Sequence, residues 1–369
     1  MSRPPQDSSE PAEHYPAGWV PGELPTPPRD GKRGWTIGLG VLVVVVAIGA
    51  VLLFTGQASR SAAPAAERNS PQATPTSATP QPGAMSTTIV SADDTGPITI
   101  ITDDVTCGPW DNVQTAVAVP RNAGWNERDP WTPASTWNPD QRAQFEAVAD
   151  ALRSGADRAV SLAAQTPHRA MRELYEAFTA YGRAYSDALP NYQPTDDFLA
   201  QTSLAALDSI TNICAANRSK VASVQEPGLA PVAPPTTPPT VADPANPHRF
   251  LPQPNPTCAR WTQDEAALQE RTQAWSALDP NVGTAQLNKE QVLIYDDVVP
   301  VLTTQADTME SAGRGSGNAV AEDFATLGAL YFRAYAKAVP LIWAGDRDLA
   351  EVGFNLNKLI AVACQASKG

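Results

Sequence analysis

The chain has 369 residues, 36 of them proline, with 42% hydrophobic residues, 18% charged residues and a net charge of −13. Proline at about twice its usual share excludes one continuous globular fold, because it cannot sit inside so much helix or central strand. The acidic balance argues against nucleic acid and anionic polymer surfaces as partners.

Eight prolines fall in residues 1–34, six in 55–97 and eleven in 223–257. Two low-proline blocks remain, preceded and separated by extended segments. Residues 1–34 read as a Pro-rich disordered cytoplasmic tail, too short to fold alone. Its Tyr15 and Trp19 suit a docking peptide for a cytoplasmic partner. Residues 35–56 (WTIGLGVLVVVVAIGAVLLFTG) carry no charge over 22 residues, enough to cross about 30 Å of hydrocarbon. Trp35 and Phe54 sit near the ends, and Arg29, Lys32 and Arg33 precede the segment while only Arg60 follows it closely. The excess of basic residues on the N-terminal side predicts a single transmembrane signal anchor in the plasma membrane, with the N-terminus cytoplasmic and the remainder extracytoplasmic. A cleaved signal peptide is the rival reading, but its apolar region would be shorter and about 34 preceding residues would be unusual. Residues 57–97, rich in Ala, Pro, Ser and Thr, lack the apolar area to offset chain ordering and read as a disordered stalk. Its Thr-Pro character also suits O-linked sugars.

Beyond the stalk, the four cysteines Cys107, Cys214, Cys258 and Cys364 lie at paired spacings of 107 and 106 residues. Each low-proline block has one near its start and one near its end. The blocks match along their length. At a shift of 150, Trp125, Asp129 and Pro130 fall on Trp275, Asp279 and Pro280. Asp157 falls on Asp307, and Tyr181-x-Arg183-Ala184-Tyr185 on Tyr331-x-Arg333-Ala334-Tyr335. Cys107 and Trp110 fall on Cys258 and Trp261 at a shift of 151. This is a tandem duplication, repeat 1 spanning 98–222 and repeat 2 spanning 258–369. Each repeat should close on itself, giving disulfides Cys107–Cys214 and Cys258–Cys364 in an oxidising compartment.

Apolar periodicity in both repeats is helical, as in Phe145, Val148, Ala149 and Leu152. Asn138-Pro139-Asp140-Gln141 supplies a cap, proline at the first helical position and Gln at the third. Thr166-Pro167 and Thr262-x-x-Glu265 supply further starts, and Pro190 and Pro340 stop the third helix of each repeat. The expected fold is all-α, a transmembrane helix followed by two tandem four-helix bundles of up-down-up-down topology, each closed by one disulfide. The helices are expected near 109–119, 139–164, 167–189 and 195–216, then near 262–278, 289–312, 318–343 and 346–366, with a kink at Pro300. Residues 98–102 (ITIIT) alternate like a short strand. Residues 223–257, with the run APPTTPP, read as a semi-rigid Pro-rich linker between the bundles.

No residue pattern carries a recognisable reaction. His14, His168 and His248 have no His or Cys partner at metal-ligand spacing, so neither a metal nor a cofactor is expected. No nucleophile elbow, Ser-x-x-Lys pair or His-Glu-x-x-His is present. Gly313-Arg314-Gly315-Ser316-Gly317 precedes a helix but follows no strand and lacks the Lys-Ser/Thr of a P-loop, so it reads as a turn. The duplicated tyrosines read as core with hydroxyls at the rim. For Arg183 and Arg333, two readings stand: a structural bridge to Asp157 and Asp307, or a ligand-facing guanidinium beside aromatic rings. Trp131 and Trp137 are not duplicated and lie in or beside the proline-bearing loop 120–137. Exposed there, they would suit a protein or glycan contact.

The Pro-rich tail ending in Lys32-Arg33, the valine-rich stretch 41–46, the Ala/Pro/Thr stalk and 20 arginines to 6 lysines together resemble actinobacterial single-pass envelope proteins. That resemblance covers about the first 100 residues and transfers no functional residue. The expected function is a membrane-tethered, non-enzymatic binding or scaffold module of the envelope. The alternatives are a regulatory subunit coupling the ectodomain to a cytoplasmic partner through the tail, and an envelope enzyme with an unrecognised site.

Overall fold

Both expected disulfides are formed, Cys107–Cys214 and Cys258–Cys364, with Cα atoms 5.3 and 5.2 Å apart. They are seen in a computed structural model that describes residues 88–368. The tail 1–34, the expected span 35–56 and the stalk to residue 87 lie outside the described residues. Among the described residues no helix is long and apolar enough to cross a membrane.

Repeat 1 folds as α1 (Cys107–Asn122), α2 (Pro139–Gln165), α3 (Arg169–Ala188) and α4 (Asp197–Arg218), followed by the short α5 (Val221–Gln225). In repeat 2 the first helix is split into α6 (Cys258–Arg271) and α7 (Gln273–Ser276). These precede α8 (Lys289–Gly315), α9 (Ala319–Ala338) and α10 (Arg347–Ala366). Asn138 and Asn288 close reciprocal capping boxes with Gln141 and Gln291, which starts α2 and α8 where the sequence places them. The first helix of each repeat begins earlier than expected. Asp104 accepts from the Thr106 amide at 2.8 Å and Asn255 from the Thr257 amide at 3.0 Å, so the turn is organised before the cysteine. Thr262 is therefore inside the helix, its hydroxyl donating to the Cys258 carbonyl. The third helices stop at Ala188 and Ala338, and Pro190 and Pro340 sit in the 3₁₀ turns that follow. Helix α8 continues through Pro300 and on to Gly315, so the glycine-rich segment is mostly helix rather than turn. Gly313 is needed for packing there, since a Cβ would lie 2.7 Å from the Ala325 Cβ of α9.

Within each repeat the helices pack as an antiparallel bundle, the first against the second and fourth, and the third against both of its chain neighbours. Trp110 is fully buried against Tyr175 and Phe178, edge to face. The duplicated Trp125 and Trp275 are each covered by a guanidinium 3.2 and 3.5 Å from the ring centroid. The arginines come from different positions, Arg128 in a loop and Arg347 at the start of α10. Asp197, the counterpart of Arg347, instead binds Arg128. The two repeats thus make the same contact with donors from different places in the chain.

The repeats do not stand apart. The most extensive helix pairing in the fold is α4 with α10, and α3 also meets α9. A Cβ at Gly345, next to the start of α10, would touch Ser219, just past the end of α4, so the two helices run antiparallel. One apolar core runs through both repeats. The segments leading into the repeats are exchanged. Tyr331 of repeat 2 donates to the carbonyl of Ile101, ahead of repeat 1, at 3.2 Å. Tyr181 of repeat 1 bonds the carbonyl and the amide of Leu251, ahead of repeat 2, at 3.3 Å each. Ile101 and Leu251 are themselves 150 residues apart, so the two exchanges are equivalent halves of a pseudo-two-fold arrangement.

Two expectations are corrected by this exchange. Residues 223–257 are not a spacer holding two bundles apart. Phe250 lies edge to face between Tyr181 and Phe324, centroids 5.7 and 5.2 Å away, and Leu251 is buried. Residues 88–97, read as the end of the stalk, also belong to the folded unit. Ser91 is buried, and Ile98 forms an antiparallel bridge with Val232. Proline removes backbone donors, but it does not prevent a segment from burying its side chains.

Candidate functional site

The duplicated tyrosines Tyr181, Tyr185, Tyr331 and Tyr335 are fully buried, and burial raises the pKa of each hydroxyl. The arginines between them face the neighbouring helix. Arg183 binds Asp157 and Arg333 binds Asp307, both at 2.7 Å, and Arg333 also reaches Glu310. These are equivalent bridges from α3 to α2 and from α9 to α8, and neither guanidinium lines a cavity described below. Trp137 is not exposed. It stacks on Phe145 with centroids 4.1 Å apart, packs on Tyr192, and donates its indole N–H to the Thr132 carbonyl at 2.8 Å. Trp131 is exposed, with 67% of its surface accessible.

The structure adds two aromatic and aliphatic side chains that the sequence pattern did not single out. Leu341 and Trp343 follow α9 and are 75% and 73% exposed. Both line a cavity of about 430 Å³ with Gly283, Ala285, Gln286 and Ile342. The surroundings of this cavity differ between the repeats. In repeat 1 Trp137 packs on Phe145 and Tyr192. At a shift of 150 these positions hold Leu287, Tyr295 and Ile342, while Asn191 and Gln193 become Leu341 and Trp343. Leu and Trp in place of Asn and Gln make the rim of the cavity apolar. The signal available in the sequence was that Trp343 has a polar counterpart.

A second cluster lies where α3 meets α9 and the leader of repeat 1. Arg169 is buried and forks onto Asp323, with Nε to Oδ2 at 2.7 Å and Nη2 to Oδ1 at 3.3 Å. It also donates to the carbonyls of Asp94 and Gly96. Arg172 donates to the carbonyl of Ser91 at 2.9 Å and lies 3.4 Å from Glu176. Glu173 is buried beside Asp323, and neither of its oxygens receives a protein N–H. Burial first, then the Asp323 charge, pushes Glu173 well above the ordinary carboxylate range, against the pull of Arg172 and Arg169. Burial also pushes Glu176 up to about 7. Beside this cluster a cavity of about 520 Å³ is lined by Glu173, Glu176, His248, Arg249, Phe250 and Val320, among others. Among the described residues no group of three or more His, Cys, Asp or Glu is placed to hold a metal ion.

No solved structure matches this chain. An uncharacterized protein of Mycolicibacterium smegmatis (strain MKD8) is 36% identical over 358 residues, 96% of this chain and 92% of that protein. The relative therefore matches the N-terminal region as well as both repeats. The family model described as Mycobacterial ESX-1 associated protein matches residues 89–368, from the exchanged leader to the end of α10. The chain belongs to the Mycobacterial ESX-1 associated protein family.

Proposed function

We propose that the chain is a membrane-tethered binding module of the mycobacterial envelope, associated with the ESX-1 secretion system and non-enzymatic. In this reading residues 35–56 anchor it, residues 1–34 stay in the cytoplasm and the paired repeats are presented outside. The observation that carries the binding role is the cavity beside Leu341 and Trp343. A rim of two large apolar side chains, each about three-quarters exposed, suits burial by a partner's apolar side chain rather than water. The family description supports a partner within the secretion system.

A photoreactive amino acid placed at position 343 of the full-length chain in mycobacterial cells tests this reading. The expected product is a discrete crosslink that disappears in a strain lacking ESX-1 and when Leu341 is replaced by Asn, its repeat 1 counterpart. Crosslinking indistinguishable from that at exposed Val119 would count against a partner at this cavity. Reporter fusions at residues 20 and 369 test the topology: only the second should be active outside the membrane.

A further inference from the structure

The two carboxylates at the α3–α9 contact occupy equivalent positions. Glu173 and Asp323 are 150 residues apart, and the pseudo-two-fold arrangement brings them face to face. Both are buried, with side chains 1% and 0% exposed. The counter-charge is not duplicated. Arg169 corresponds to Ala319 and Arg172 to Glu322. Arg169 gives its fork to Asp323, whereas Glu173 has only the Arg172 Nη2 at 3.7 Å and no hydrogen bond from it. Like-charged carboxylates buried in one site disfavour each other's ionisation, and burial disfavours both charges further, so the site favours keeping a proton on one of them. Asp323 holds the arginine fork, whereas neither oxygen of Glu173 has a hydrogen-bond partner, so the site favours the proton on Glu173. The other charged groups around the site are Asp94 on the leader, Glu176 on α3, Glu322 on α9, and His248 and Arg249 on the segment ahead of repeat 2.

We propose that the Glu173–Asp323 pair is a proton-dependent latch that holds repeat 1, repeat 2 and the leader at 88–101 together in acid and loosens them as the pH rises. The leader is included because the same arginines carry it, through the carbonyls of Asp94, Gly96 and Ser91. The sign follows from linkage. The unfolded glutamate titrates near 4.3, the buried one above that value. Between the two the closed state holds one more proton than the open state, so closure weakens with rising pH, by at most about tenfold per pH unit for one proton. The leader continues directly into the segment that precedes it in the chain, so its release would lengthen the connection between the repeats and whatever holds residues 1–87.

Amide hydrogen exchange of the full-length chain between pH 5 and pH 8.5, corrected for intrinsic rates, reads the latch. The expected result is opening of residues 89–101 and of the first turns of α3 and α9 that rises by about tenfold or more across this range. Amides in α1 and α2 away from the site should not follow. Glu173→Gln, which keeps a neutral donor, should flatten the dependence and leave the leader closed, while Glu176→Gln should retain it. Glu173→Met removes the titrating group without needing to donate, and should flatten it too if the glutamine variant folds poorly. A wild-type leader whose opening is independent of pH overturns the proposal. So does a dependence that survives both Glu173 substitutions, or one that Glu176→Gln alone abolishes.

Discussion

Removing one disulfide tests whether the repeats fold as one. Replacing Cys258 and Cys364 together by alanine opens a loop of 106 residues in repeat 2. In the chain-entropy model that loop is worth about 4.7 kcal/mol, a large part of the roughly 5–15 kcal/mol by which a domain is stable. If the repeats were separate bundles, repeat 2 would carry the whole loss and repeat 1 none. The shared core predicts otherwise, because α4 packs along α10 and Tyr181 depends on Leu251. Unfolding in urea, followed by exchange of the amides in α3 and in α9, should show both helices opening together at one lowered midpoint. An α3 that keeps its wild-type protection while α9 opens would refute the reasoning, whatever the size of the loss.

Four further outcomes follow. Asp323→Ala strands the buried Arg169 guanidinium and should cost about 3–5 kcal/mol by denaturant unfolding, while the apolar pair Arg169→Met with Asp323→Leu should recover most of it. Tyr181→Phe and Tyr331→Phe each remove one bond to an exchanged leader and should each cost about 0.5–1.5 kcal/mol. The Tyr181 change should be the larger, since Leu251 loses a partner for both its amide and its carbonyl. Trp137→Ala should cost about 3–5 kcal/mol as a core deletion, whereas Trp343→Ala should stay within about 0.5 kcal/mol of wild type and act on partner crosslinking instead. For Glu176, whose pKa is raised to about 7, the stabilising contribution is full below its unfolded value and lost as pH rises through 7. Glu176→Gln should therefore make stability less dependent on pH between about 5 and 8.

The duplication, the disulfides and most helix ends could be read from residues alone because each depends on local or strictly repeated features. Asn138 and Asn288 cap their own helices, and each cysteine pair sits at the start and the end of one repeat in the sequence. The exchange of leaders was hidden because its partners carry no side-chain code. Tyr181 and Tyr331 looked like ordinary members of an apolar stripe, and they bond backbone groups 70 and 230 residues away. The 150-residue interval between Ile101 and Leu251 is the trace it left in the sequence. The packing of residues 223–257 escapes the sequence for a different reason. Composition reports that a segment cannot form helix or sheet, and says nothing about whether Phe250 and Leu251 are buried. Trp137 differs from its expected exposure for a third. It is buried because Phe145 and Tyr192 lie against its ring, and nothing in its proline-bearing loop marks those partners. Arg183 and Arg333 kept both readings open until their carboxylate partners were placed opposite them.

The most direct test of the interlocked pair is a cut between the repeats. Thr236 and Thr237 are exposed in the Pro-rich segment, and each disulfide lies wholly within one half, so a protease site inserted there leaves no covalent link after cleavage. Native mass spectrometry of the cleaved chain should return the mass of both halves together, with α4 and α10 still protected from exchange. Recovery of two separate, folded halves would contradict the account.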